Sequence, residues 1–212
     1  MPAGDGAATG FALSQIAAGQ AMRGAGQQNA TALWVQDRRV LKDAGRPYPH
    51  GLPELGRTGL LHLVARDAGE ALCAMEEGLH CPSLAAVIGE LHGDPRALDF
   101  TATRRLAVAA ERYGVPVFLL RCGGHADLSG ARRRWRVASR PSPAHPHDPE
   151  APGAPTWSLE LFRARDMRPG TWEASYDRAA HRLDLVSPAG DGTLAPAAGG
   201  AEPAPAFARR YG

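Results

Sequence analysis

Glycines at Gly4, Gly6 and Gly10 punctuate the opening MPAGDGAATG, and a run of this kind ahead of a helix can aim backbone N–H groups at a phosphate. The helix expected after it covers Phe11 to Met22, with Phe11, Ile16, Ala17 and Ala21 on a rough apolar face. A strand normally precedes such a cradle, and a chain beginning at Met1 leaves no room for one. A dinucleotide site would need an acid for a ribose hydroxyl, and Asp37 ends an apolar run. That fingerprint, however, wants glycine where Thr9 stands, and its acid lies about ten residues earlier. The other carboxylate of interest is Glu90, just past Leu84–Ile88, where an open α/β sheet opens its ligand crevice. The plainer reading of Glu90 is a solvated loop acid.

Arginines form the second chemical cluster. Arg132, Arg133, Arg134 and Arg136 surround Trp135, and a basic groove with an aromatic ring is a usual means of tracking single-stranded DNA. Against that stands a sheet edge guarded by charge. The C-terminal Phe207, Arg209, Arg210 and Tyr211 are residue types that anchor interfaces, set on a tail with no core to serve, which predicts a docking peptide. Nucleophilic catalysis finds no support, since GxSxG is absent. Cys81 beside His80 lacks further close ligands for a metal, His62 reads as a satisfied core residue, and His145 and His147 read as solubilising.

Composition bounds the rest. In 212 residues, 44% hydrophobic, there is room for one domain with a core and tails. A net charge of +2 leaves polyanion binding to a local patch. Cys73, Cys81 and Cys122 are odd in number and lack CxxC spacing, which predicts reduced thiols. No apolar run is long enough for a membrane helix and no leader is recognisable, so the expected location is the cytoplasm.

The positioning elements follow from caps and periods. Asp67 stands at an N-cap, Glu70 completes a capping box, Ala68, Ala71, Leu72, Met75 and Leu79 recur at helical spacing, and Gly78 is the expected stop. After Cys81-Pro82, Leu84–Ile88 is apolar without alternation, which predicts a central parallel strand covered on both faces and ending at Gly89-Glu90. Thr31–Gln36, ending at Asp37, and Leu60–Val64 are further strands, with a polar turn at 24–30 and a short helix around Pro53–Leu55. Asp99–Tyr113 is a second helix, stopped at Gly114, and Val115–Leu120 the strand after it, leading into a glycine-rich loop through Gly130. Trp157–Arg165, Trp172–Tyr176 and Arg182–Val186 form an antiparallel meander with Trp157 and Trp172 in its core. Ser139–Pro155 reads as a flexible linker or insert and 187–212 as a disordered tail, leaving a core of 1–186. The fold class expected is α/β: a wound, mainly parallel sheet flanked by helices, with a C-terminal antiparallel meander.

This order of elements resembles the core of RecA-like proteins. The runs ALWVQD, ARDAGEALCAMEEGL, SLAAVIGEL, DFTATRRLAVAAERYGVPVFLLR and WSLELFRARDMRPGTWEASYD are similar to the ImuA family, RecA-related and sometimes called cell-division-inhibitor-like (SulA-like), over roughly Gly4 to Pro188. The resemblance implies an accessory protein of SOS mutagenesis and translesion synthesis. Its partners would be an ImuB-like Y-family polymerase homologue and an error-prone C-family polymerase, with RecA and single-stranded DNA as further ones, at the nucleoid under DNA damage. It also implies a degenerate Walker A site. If Gly10 precedes the phosphate-binding Lys, Phe11 and Ala12 replace that Lys and the magnesium-binding hydroxyl. The Walker B acid falls near Ile88 or Gly89 with only Glu90 close by, and Asp37 takes the place of the catalytic Glu. No cofactor and no catalysis are therefore expected, the alternative being a residual DNA-dependent ATPase or DNA-binding module. The first strand of such a fold would lie upstream of Met1.

Overall fold

Strands that alternate bury one face, whereas those that do not must be covered twice. The computed structural model describes residues 5–23, 31–52, 59–125 and 129–186. In it β1 (Thr31–Asp37), β2 (Leu60–Ala65), β3 (Leu84–His92) and β4 (Val117–Cys122) make a parallel four-stranded sheet ordered β2-β1-β3-β4. Helix α1 (Ala7–Arg23) lies on one face, where Leu13 and Ile16 meet Ala32, Trp34, Ala86 and Ile88. Helix α2 (Arg38–Ala44) leaves the end of β1, and α3 (Ala68–Leu79) and α4 (Phe100–Tyr113) cover the opposite face around Leu33, Val35, Met75, Val87 and Leu106.

Caps act where the sequence places them. The Asp67 side chain accepts from Glu70 N at 2.9 Å, Glu70 accepts from Arg66 N at 2.6 Å, and Asp99 accepts from Ala102 N at 2.7 Å. Gly114, at φ 68°, closes α4 in the left-handed region that glycine enters without strain. Gly78 does not stop α3, which runs through Leu79 to a cap at His80. Its missing Cβ serves packing instead, since a methyl there would strike the Leu33 side chain.

The second half is an antiparallel sheet. Strand β5 (Arg133–Arg140) is followed by a small hairpin of β6 (Ala144–His145) and β7 (Asp148–Pro152). Then come β8 (Thr156–Ala164), β9 (Gly170–Asp177) and β10 (Arg182–Val186), in the sheet order β10-β9-β8-β5. The expectation that Ser139–Pro155 stays without regular structure is thus corrected: the end of β5 and the hairpin occupy it. Alternation gives the meander its inner face, with Trp157, Leu159, Leu161, Ala174 and Tyr176 buried.

Helix α1 joins the two sheets. Leu13 and Ile16 belong to the parallel sheet's core, while Ala7 and Phe11 pack with Val137, Trp157, Leu159 and Tyr176 of the antiparallel one. Some elements depart from the sequence reading: α1 begins at Ala7, β3 continues through Glu90 to His92, β4 spans Val117–Cys122, and α2 follows β1 where no helix is expected from the sequence. The turn expected at 24–30, the short helix around Pro53–Leu55 and the tail at 187–212 lie outside the described residues. Among the described residues no helix is long and apolar enough to cross a membrane.

Candidate functional site

Gln36 of β1 stands opposite Glu90 of β3 at the carboxyl end of the parallel sheet. Gln36 Nε2 donates to Glu90 Oε2 at 2.6 Å and to the Gly45 carbonyl at 3.2 Å, and Thr9 Oγ1 of α1 donates to Glu90 Oε1 at 3.1 Å. On its other side Gln36 Oε1 meets His62 Nε2 at 2.8 Å, so the neutral imidazole donates from Nε2. Glu90 is 6% exposed, which corrects its reading as a solvated loop acid. A buried carboxylate demands compensation, and here neutral donors supply it in place of a cation. Burial, with Arg46 nearby, pushes the His62 imidazole below its ordinary value of 6.5 against the opposing pull of Glu90. Burial, reinforced by Glu90, pushes the Cys122 thiol up and away from the reactive thiolate.

Asp37 is equally committed. Its Oδ1 accepts from Val40 N at 2.8 Å, capping α2, and its Oδ2 accepts from His92 N at 3.1 Å. Both oxygens hold backbone, and the residue fixes the exit of β1 against the end of β3.

The expected glycine loop takes a different form. Gly4 is outside the described residues, Gly6 sits in the turn before α1, and Gly10 lies inside α1, its N–H bonded to the Gly6 carbonyl at 2.9 Å. A Cβ on Gly10 would stand 2.8 Å from Trp157 Cζ2, so glycine there lets the helix seat on the antiparallel sheet. Phe11 meets Trp135 and Trp157 edge-on, with ring centroids 5.2 and 6.4 Å away, and Ala12 is buried. At the helix N-terminus, where an anion would bind, Asp5 already accepts from Ala7 N at 2.9 Å and from Ser139 Oγ at 2.5 Å. Burial raises the Asp5 carboxyl, and those hydrogen bonds outweigh it, leaving the group below its usual range.

Past β3 and β4 lies a cluster the sequence reading missed. Arg121 pairs with Asp94, its guanidinium also donates to the His125 and Gly93 carbonyls at 2.7 and 3.1 Å, and His125 Nδ1 lies 2.6 Å from Asp94 Oδ2. These contacts tie down the start of the loop after β4. The signal available was Gly93-Asp94 facing Arg121-Cys122-Gly123 across two parallel strand ends. Gln36 and Thr9 were missed as well, although a glutamine closing the run Ala32–Val35 is a polar group that burial obliges to find partners.

The four arginines sit on or beside β5, the edge strand of the antiparallel sheet. Arg132 pairs with Glu111 of α4, Arg133 with Asp166, and Arg136 with Glu160 at 2.8 Å. Arg134 and Arg136 lie over the Phe162 ring, 4.9 and 4.4 Å from its centroid. Phe207, Arg209, Arg210 and Tyr211 are outside the described residues.

The architecture is that of an α/β protein in which a helix-covered parallel sheet and an antiparallel sheet share one bridging helix, with the carboxylates at its strand ends held by hydrogen bonds inside the fold. No family model matches the chain. Over 189 residues it is 33% identical to Protein ImuA of Caulobacter vibrioides strain NA1000 / CB15N, covering 82% of this chain and 73% of the relative. The same identity and coverage relate it to Protein ImuA of strain ATCC 19089 of that species. The chain belongs to the ImuA family.

Proposed function

We propose that this chain is a non-catalytic accessory protein of damage-induced mutagenesis and translesion synthesis, an adaptor between an ImuB-like polymerase homologue and an error-prone polymerase. Family membership supports the mutagenic role. The observation that carries the non-catalytic part is Gly10 inside α1 against Trp157, with Phe11 and Ala12 in the core. Phosphoryl transfer rests on preorganised cations and a metal-holding hydroxyl, and neither an aromatic ring nor a methyl group supplies them. Asp37 and Glu90, the acids nearest such a site in the sequence, already accept two hydrogen bonds each. In this reading the C-terminal motif Phe207, Arg209, Arg210 and Tyr211 docks the ImuB-like protein.

A second reading, contact with single-stranded DNA, draws on Arg134 and Arg136 over Phe162 at an exposed edge. Purified protein assayed with ATP, magnesium and single-stranded DNA should show no turnover above background, and DNA-stimulated turnover would overturn the non-catalytic reading. Co-purification of the tagged chain with its ImuB-like partner tests the adaptor role, which fails if no partner is retained.

A further inference from the structure

An adaptor needs more than one docking surface, and α4 presents a face that the core leaves uncovered. Phe100 and Val108, two helical turns apart, are 38% and 48% exposed, with Arg104 between them. Alongside them α4, Gly130 and Arg165 enclose a cavity of about 300 Å³ with Ala107 in its lining. That volume is at the lower end for a ligand cleft and suits one bulky side chain.

The walls are firmly placed. Gly130 N donates to Thr103 Oγ1 at 2.9 Å, and a Cβ on Gly130 would stand 2.6 Å from Arg104 Cα, so the loop rests directly on the helix backbone. Arg165 N donates to the Arg132 carbonyl at 3.2 Å, and the Arg132 guanidinium is locked on Glu111.

Charge selects the occupant. Arg105, Arg121, Arg132, Arg133, Arg136 and Arg140 each pair with a carboxylate. Among the described residues Arg104 and Arg165 have no such pair, and Glu111, which Arg165 also attracts, is already held by Arg132. Two guanidiniums flanking an apolar floor match carboxylates flanking an apolar side chain. Single-stranded DNA would instead call for a continuing line of free cations and successive stacked rings, whereas this groove offers one ring, Phe100, beside Ala107 and Val108, and its third arginine, Arg132, is held by Glu111.

We propose that the α4 groove bounded by Phe100, Arg104, Val108, Gly130 and Arg165 docks an acidic segment of a partner protein through one bulky apolar residue with carboxylates on either side. The assignment deepens the adaptor reading and rests on it for the partner's biological role. The probe is an acetylated, fluorescein-tagged peptide with one phenylalanine between pairs of glutamates, titrated into the full-length chain by anisotropy and by amide NMR shifts. Binding should saturate and move the Ala107, Val108 and Gly130 signals. It should weaken at least about tenfold when Arg104→Glu and Arg165→Glu are combined, since each removes one complementary rim charge and adds a repulsive one. It should weaken comparably when the peptide phenylalanine becomes alanine, and hold in the distant control Arg140→Glu.

Unchanged affinity in the double variant, or shifts confined to other surfaces, would overturn the proposal. So would oligo(dT) displacing the peptide from these residues, which would make the groove a nucleic-acid site. Peptide binding that appears only after removal of 187–212 would assign the groove to this chain's own tail, and self-association abolished by the double variant would assign it to a second copy. Failure of the wild-type chain to retain any partner defeats the adaptor reading while leaving the peptide titration intact, so the two failures are separable.

Discussion

The carboxylates at the end of the parallel sheet and those along the edge of the antiparallel sheet do similar work in opposite surroundings. Glu90 is buried and held by Thr9 and Gln36, neutral donors placed by α1 and β1. Glu111, Glu160 and Asp166 are solvent-accessible and meet guanidiniums on or beside β5. Exposed ion pairs are worth about 0–1 kcal/mol each, whereas stripping a partner from a buried charge costs about 3–5 kcal/mol. The interior network therefore holds architecture, and the arginine edge can exchange carboxylates for another partner at little cost to the fold.

The sharpest way to break this contrast is Gln36→Leu, which removes the donor to Glu90 and the acceptor for His62 together. It should destabilise the chain by about 3 kcal/mol in urea unfolding, and adding Glu90→Leu should recover much of the loss, because an apolar pair leaves no buried charge. A loss below about 1 kcal/mol would mean that Glu90 reaches water in solution.

A smaller effect is expected from pH. Because burial holds His62 below 6.5 in the fold, the unfolded chain takes up the proton first as pH falls. The stability contributed by the neutral imidazole is thus present above that value, declines below it, and stops declining once the folded imidazole is protonated too. Melting temperatures of wild type and His62→Gln compared between about pH 8 and pH 5 should diverge most at the high end. A difference independent of pH would show the imidazole to be solvated.

The least effect on stability belongs to the edge. Arg136→Ser should shift unfolding by less than about 1 kcal/mol, its pair with Glu160 being exposed. Replacing Arg132, Arg133, Arg134 and Arg136 together by Ser sharpens the functional side of the contrast. If the edge contacts DNA, oligo(dT) affinity should fall and its salt dependence flatten, while an unchanged salt slope would leave the arginines as an edge guard.

Much of this architecture was legible in the residue order. The caps at Asp67 and Asp99, the unalternating Leu84–Ile88 and the alternating Trp157–Leu161 each announce their element. Helix α2 was harder to see, because RRVLKDA spans under two turns and its cap, Asp37, also reads as the end of a strand. The site was less legible still. Asp37 and Glu90 were singled out by position, yet Gln36, Thr9 and Asp94 carry no local signature of the partners they find.

Local chemistry therefore decided which segments are helices and strands, since caps and hydrophobic period act over a few residues of contiguous chain. The tertiary structure alone decided that Gly10 lies inside α1 as a seat for Trp157, that Glu90 is buried among neutral donors, and that Arg132, Arg133 and Arg136 form ion pairs with carboxylates while Arg104 and Arg165 form none among the described residues, Arg165 only adding to the pull of Arg132 on Glu111. Each of these depends on which element folds against which, and partners separated by 81 residues, as Thr9 and Glu90 are, leave no trace in the spacing of either.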